Sequence, residues 1–196
     1  MIAAVHSYRQ NGFAFFDFGQ HPVTEPQINL LRRLAAQSSF TEIVPSESSS
    51  SYLKDFTFAQ LRYAGTSEPA LVLTEIGPMV LGALLSGEMQ SFLGEAFGVE
   101  LPLQCGLGTF NRYEVGDFLE WHRDKRFFQP VGALVLGLQD DYEGGELLVY
   151  PDGESNPSRL RLGRGSLTLI RAGIGHEVTK VTSGLRETVT LILGTA

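Results

Sequence analysis

A chain of 196 residues is long enough to bury one core and short for two, so a single domain spanning residues 1–196 is the expectation. Hydrophobic residues make up 43% and charged residues 19%, as in an ordinary globular protein with no disordered tail, and a formal charge of −7 gives no general attraction to phosphate backbones, which argues against a nucleic-acid partner. The lone Cys105 excludes an internal disulfide, Met1-Ile2-Ala3-Ala4-Val5-His6 lacks the charged start and long apolar run of a signal peptide, and no apolar stretch reaches the ~18 residues of a membrane span, so a cytoplasmic protein without a membrane partner is expected.

Residues 12–18 are short and rich in phenylalanine, which predicts a buried strand. Thr24-Glu25-Pro26-Gln27 reads as a helix start, with Thr24 as N-cap and Gln27 three residues on; Ile28, Leu31, Leu34 and Ala35 then recur at helical spacing and give the helix one apolar face for a sheet. The serine-rich run 45–51 has no apolar period and reads as a mobile surface loop, either a tolerated insertion or a lid. Residues 56–63 read as a strand, and 79–85 and 88–97 as two helical segments broken at Ser86-Gly87, with Gly98 as the C-terminal cap.

Residues 1–102 thus supply supporting strands and helices, and after Pro102 the pattern changes. Strand-like segments follow one another at 103–113, 118–124, 131–139, 146–150, 159–162, 166–171, 176–182 and 185–193. Turn chemistry separates them, at Glu143-Gly144-Gly145, Pro151-Asp152-Gly153, Gly163-Arg164-Gly165 and Ser183-Gly184. Helices first and strands afterwards predict a mainly β fold, a sandwich or jelly roll with the early helices outside one sheet. No internal repeat or long linker divides the chain.

On a strand, residues two apart point the same way, about 7 Å apart, so His122-x-Asp124 places an imidazole and a carboxylate in one pocket. His176 is the candidate third ligand of a 2-His-1-carboxylate face, the donor set of non-haem Fe(II) oxygenases, which leaves positions open for substrates. If Ser183-Gly184 turns the last hairpin, Arg186, Thr188, Thr190 and Ile192 point to one face and Glu187, Val189, Leu191 and Leu193 to the other. An arginine turned into an apolar barrel requires an anion, either a protein carboxylate or a bound dicarboxylate gripped by Arg186 with a hydroxyl contact from Thr188. The HxD triplet alone is a weak signal, and the ordered set carries the argument. His6 and His21 have no matching partner and read as structural or solvated.

Taken together, residues 103–194 resemble the catalytic core of the Fe(II)- and 2-oxoglutarate-dependent dioxygenases, closest to their prolyl-hydroxylase-like branch. The resemblance rests on Tyr113-x-x-Gly116, His122-x-Asp124, Tyr142-Glu143-Gly144-Gly145-Glu146-Leu147, Gly165-Ser166-Leu167 leading to His176, and Gly184-x-Arg186-x-Thr188. It implies a double-stranded β-helix (jelly roll, cupin-like) core with helices supporting one sheet. It also implies His122, Asp124 and His176 as iron ligands, Arg186 on the distal carboxylate of 2-oxoglutarate, Thr188 assisting, and Tyr113 lining the cosubstrate pocket. Fe(II) is the implied cofactor, with 2-oxoglutarate and O2 as cosubstrates and ascorbate as reductant. The implied reaction hydroxylates an unactivated C–H and releases succinate and CO2. Asp124 stands where the related halogenases have a small residue, which favours hydroxylation; Ile192 stands where the nucleic-acid demethylases have a further arginine, so alkylated DNA or RNA is not expected. The stretch 133–138 offers no counterpart of the tyrosine that some members use on the same carboxylate, a role that falls to Thr188.

Lys125, Arg126, Phe127 and Phe128 follow the metal motif and place cationic and aromatic groups at the rim. In an acidic chain that local positive group predicts a carboxylate-bearing small molecule, such as a free amino acid or another metabolite, unless it is only a solvated basic turn. A peptidyl proline or another protein side chain is the alternative, with Arg62 and the serine-rich loop bordering an extended groove. Asn111 shares the strand face of Tyr113, where it lines the pocket or bonds a neighbouring strand. A rival of another class, a cupin-like metal protein without 2-oxoglutarate, has no need of an inward Arg186-x-Thr188 pair.

Overall fold

The computed structural model describes residues 8–45, 51–62, 70–124, 130–151 and 156–195. The supporting region contains β1 (Phe13–Phe16), α1 (Glu25–Gln37), β2 (Thr41–Ile43), β3 (Leu53–Arg62), β4 (Ala70–Leu73), α2 (Gly77–Leu84) and α3 (Gly87–Phe97). The strands of the second region are β5 (Leu103–Tyr113), β6 (Leu119–His122), β7 (Pro130–Gly137), β8 (Tyr142–Gly144), β9 (Leu147–Tyr150), β10 (Ser158–Leu160), β11 (Leu167–Arg171), β12 (Gly175–Val178), β13 (Val181–Gly184) and β14 (Arg186–Thr195). A main sheet in the order β1-β11-β7-β14-β5-β3-β2, with β4 added to β3, faces a smaller sheet in the order β10-β9-β12-β6. The result is the mainly β, double-stranded β-helix expected, and no helix among the described residues is long and apolar enough to cross a membrane.

The helices form where the spacing predicts them. Thr24 donates its backbone N–H to Gln27 Oε1 (2.7 Å), and Gln27 Nε2 donates onward to the Ala83 carbonyl (2.9 Å), so the cap of α1 also ties it to α2. Ile28, Leu31, Leu34 and Ala35 are the residues α1 buries. Gly98, at φ 68°, closes α3 in the left-handed conformation that a β-carbon would disfavour. These helices cover one face of the main sheet, where Val189, Leu191 and Leu193 of β14 join Phe110, Leu134 and Leu136 in one core. Burial of each such side chain contributes about 1.5–3 kcal/mol. The opposite face packs against the small sheet through a second cluster that includes Leu53, Val135 and Ile192 on one side and Leu147, Val149 and Val178 on the other.

Several boundaries differ from the sequence expectation. β3 begins at Leu53, and β2 and β4 flank it, although neither short segment has the length or alternation that marks a strand. Glu143 and Gly144, read as a turn, lie in β8. The segment 176–182 is split after Val178: Thr179 N–H still reaches the Glu146 carbonyl (3.0 Å), but the Glu146 N–H is taken by the Thr179 hydroxyl (3.0 Å), and the chain passes on into β13. Ser183-Gly184 is not a hairpin turn: β13 pairs with β8, and β14 pairs with β5 and β7. Gly184, at φ 73°, lets the chain pass from that two-stranded ribbon into the main sheet, with Leu185 N–H bonded to the Asp141 carbonyl. The alternation expected along β14 nevertheless holds, since the register of the strand and not its turn sets which face each side chain takes. Of the serine-rich loop, residues 46–50 lie outside the described residues; Ser51 is buried and its hydroxyl accepts the Glu120 N–H (3.1 Å).

Candidate active site

β6 and β12 run antiparallel on the small sheet with His122 directly opposite His176, and their ring centroids are 4.3 Å apart. Asp124, two residues beyond His122, places Oδ1 3.9 Å from Nε2 of each histidine. One potential ligand atom from each residue lies within 4.8 Å of the other two. Both rings are oriented in the same manner: Nδ1 of His122 lies 2.8 Å from the Glu120 carbonyl, and Nδ1 of His176 lies 3.1 Å from that of Ile174. A carbonyl can only accept, so the proton sits on Nδ1 and the lone pair of each Nε2 points toward the carboxylate. Burial lowers the His176 pKa, with Asp124 opposing and His122 reinforcing the shift, and so keeps the imidazole neutral, the form that ligates a metal. Gly175 is what permits the close packing of β6 on β12, because a β-carbon there would lie 2.7 Å from the Trp121 ring.

A cavity of about 290 Å³ opens between the two sheets, with the His-Asp-His cluster on one wall and Arg186, Thr188 and Tyr113 on the other. Arg186 is 1% exposed. Its guanidinium lies 4.7 Å from the centre of the Tyr113 ring, and its Nε and Nη1 have no hydrogen-bond partner. Burial raises the Tyr113 pKa, an effect that the adjacent Arg186 partly counters. Leaving two guanidinium N–H groups dry is unfavourable by about 1–3 kcal/mol per unsatisfied group, so the site is built to accept an anion with several acceptor oxygens. Two imidazoles and a carboxylate suit an iron-type transition metal, and a dicarboxylate reaching Arg186 fits the same space.

Asn111 realises both of the options open to it: it lines the cavity, and Nδ2 donates to Thr190 Oγ1 (3.0 Å). Arg62 is not brought to the cavity. It bonds Gln60 (3.2 Å) at the far end of β3, seven residues and about 23 Å along the strand from the part of β3 that reaches the site. Arg126 and Phe127, with Lys125 and Phe128, lie outside the described residues, as does His6. His21 is structural: Nε2 donates to the Gly165 carbonyl (2.7 Å) and Nδ1 accepts the Val23 N–H (3.3 Å). The sequence reading missed Asp55, a cavity-lining carboxylate; starting the strand at Leu53 would have placed Leu53 and Asp55 on one face.

Residues 108–193 match the family model of the 2OG-Fe(II) oxygenase superfamily. A PKHD-type hydroxylase of Shewanella sp. strain MR-7 is 32% identical over 124 residues, which cover 59% of this chain and 52% of that protein. The chain thus spans about half the length of the curated relatives it matches. Among solved structures, an oxidoreductase of the 2OG-Fe(II) oxygenase family from Burkholderia pseudomallei superposes with a TM-score of 0.84 at 18% identity, covering 98% of this chain and 90% of that one. A prolyl hydroxylase from Trichoplax adhaerens, in complex with a hypoxia-inducible-factor peptide fragment, superposes with a TM-score of 0.69 at 16% identity over 97% and 86%. With the order of motifs along the strands, these comparisons make residues 108–193 similar to the 2OG-Fe(II) oxygenase superfamily, and the fold is one that prolyl hydroxylases share.

Proposed function

We propose that this protein is an Fe(II)- and 2-oxoglutarate-dependent hydroxylase whose substrate is a small molecule carrying a carboxylate, such as a free amino acid. The observation that carries the reading is the buried Arg186, with two unpaired nitrogens, in the same cavity as His122, Asp124 and His176. The two Nε2 atoms and the Asp124 carboxylate hold the metal. Arg186 and Thr188 receive the distal carboxylate of the oxoacid, and Tyr113 supports the guanidinium from behind its ring face. The chemistry that Fe(II) and 2-oxoglutarate supply when bound is O2-dependent hydroxylation of a C–H, coupled to release of succinate and CO2. The chain contributes position and dryness: Leu107, Ala133, Val135, Leu147, Val178 and Ile192 line the cavity and exclude water. A volume of about 290 Å³, shared with the oxoacid, favours a small substrate. A peptidyl prolyl or other protein side chain is the second reading, favoured by the peptide held by the Trichoplax enzyme.

The test uses anaerobic protein with Fe(II) and 2-oxoglutarate, scored by the weak visible charge-transfer band, followed by air with ascorbate and a succinate assay. Wild type gives both signals and Arg186→Ala neither. A band unchanged in Arg186→Ala would overturn the cosubstrate assignment.

A further inference from the structure

Resting on the oxygenase reading above, we propose that the primary substrate carries a protonated amine and that Asp55 receives it. Asp55 lies on β3 opposite Asn111 of β5, which in turn lies opposite Thr188 of β14. With strands spaced about 4.8 Å apart, Asp55 stands about 10 Å across the sheet from Thr188, on the same cavity wall but clear of the oxoacid anchor. The charges of the cavity then decide what that part of the wall can bind. Among the described residues, Asp55, Asp124 and Arg186 are the lining groups that carry a formal charge when the histidines are neutral. A divalent iron and a doubly charged oxoacid add nothing to the total; Asp124 faces the first and Arg186 the second. Among the described groups one negative charge is left over, and it sits on Asp55.

The surroundings of that carboxylate point the same way. Ile43 and Leu53 line the cavity beside it, and burial raises the Asp55 pKa against a hydrogen bond from Thr57 that lowers it. A half-buried anion next to apolar walls gains most from a cationic partner. Asn111 offers a second acceptor, because the amide orientation that directs Nδ2 to Thr190 leaves Oδ1 with acceptor capacity. Two neighbouring acceptors suit the several N–H donors of an ammonium group. A substrate whose single charge is a carboxylate is repelled here, so a free amino acid qualifies through its ammonium end, and a peptidyl proline, whose nitrogen is a neutral amide, lacks the group that Asp55 requires.

The experiment uses anaerobic protein loaded with Fe(II) and 2-oxoglutarate. Free amino acids, their methyl esters and linear diamines are titrated by calorimetry against the matching N-acetyl forms and short proline-containing peptides, and air is then admitted to measure stimulated succinate. Free amines and methyl esters should bind about tenfold or more tightly than their N-acetyl partners. In Asp55→Asn the ratio should collapse toward one, through KM more than kcat. Equal or tighter binding of N-acetyl forms or peptides, a preference retained in Asp55→Asn, or no binding by any amine overturns the assignment. An intact charge-transfer band with such a result removes only the amine, whereas absence of the band from wild type removes the oxygenase reading and the amine with it.

Discussion

On β14, Arg186 faces the cavity and Glu187, one residue later, faces the helices, and both side chains are buried (1% and 6% exposed). The chain satisfies Glu187 fully. Arg112 approaches it through Nε (2.8 Å) and Nη2 (2.7 Å), and Gln139 Nε2 donates to its other oxygen (2.9 Å). Gln139 also accepts from Arg32 of α1 (3.1 Å), so this network fastens a helix to the sheet. Arg186 has an aromatic ring on one side and two N–H groups without partners. A buried charge that its own chain completes holds the fold together; one left open on the adjacent residue marks where a ligand belongs. Burial alone does not separate the two roles, and the count of unmet donors does.

The largest effect that tests the comparison comes from the metal side. His176→Ala should lower iron affinity and succinate formation by at least about 100-fold, beyond the range seen for groups that merely orient a ligand. Its circular dichroism should match wild type, because His176 faces a cavity and not a packed core. Normal iron-dependent turnover in this variant would remove His176 from the site.

A matched pair of substitutions on β14 comes next. Arg186→Met should raise the KM for 2-oxoglutarate about 100-fold or more, the consequence of losing a buried charge-assisted pair of about 3 kcal/mol. The same change should leave the ligand-free protein as stable as wild type or more stable, since it removes an uncompensated buried charge. Glu187→Ala should do the reverse. It leaves Arg112 and Gln139 without their acceptor and should lower stability by about 2–3 kcal/mol in urea titration. Its affinity for 2-oxoglutarate should stay within about threefold, because Glu187 is on the other face. If both variants lose stability and neither loses 2-oxoglutarate, the distinction between the two charges fails.

The same strand explains what could be read in the sequence. Alternation at 186–193 separates the two faces without knowledge of the partner strands, so Arg186, Thr188, Thr190 and Ile192 were legible as one set. HxD was legible for the same reason. The Asp55 wall was not, because it depends on where β3 begins, and Leu53-Lys54-Asp55 carries no apolar alternation of its own. The crossing at Gly184 was hidden as well: glycine after serine suits a hairpin turn, and only the pairing of β13 with β8, across about 40 residues, shows that the chain changes sheets. Long-range pairing of this kind leaves no local signature.

The smallest expected effect concerns His21, a third buried ionisable group and, like Glu187, one that its own chain satisfies. Burial is the main cause that lowers its pKa below 6.5, partly offset by its bond to the Gly165 carbonyl. The folded state therefore takes up the proton at lower pH than the unfolded state does. The stability this neutral imidazole confers is fully present above the unfolded value near 6.5 and is lost as pH falls through the lower folded value. Urea midpoints of wild type and His21→Gln at pH 7.5 and 5.5 measure this directly. At pH 7.5 the variant should be less stable by about 1 kcal/mol, the net worth of one hydrogen bond, and the gap should narrow at pH 5.5 because only wild type has a proton to take up at this position. The other histidines are common to both proteins and cancel in the difference. A gap that widens toward acid would mean that His21 is held in its charged form, and the contrast between groups completed by the chain and groups awaiting a ligand would then have to be redrawn around it.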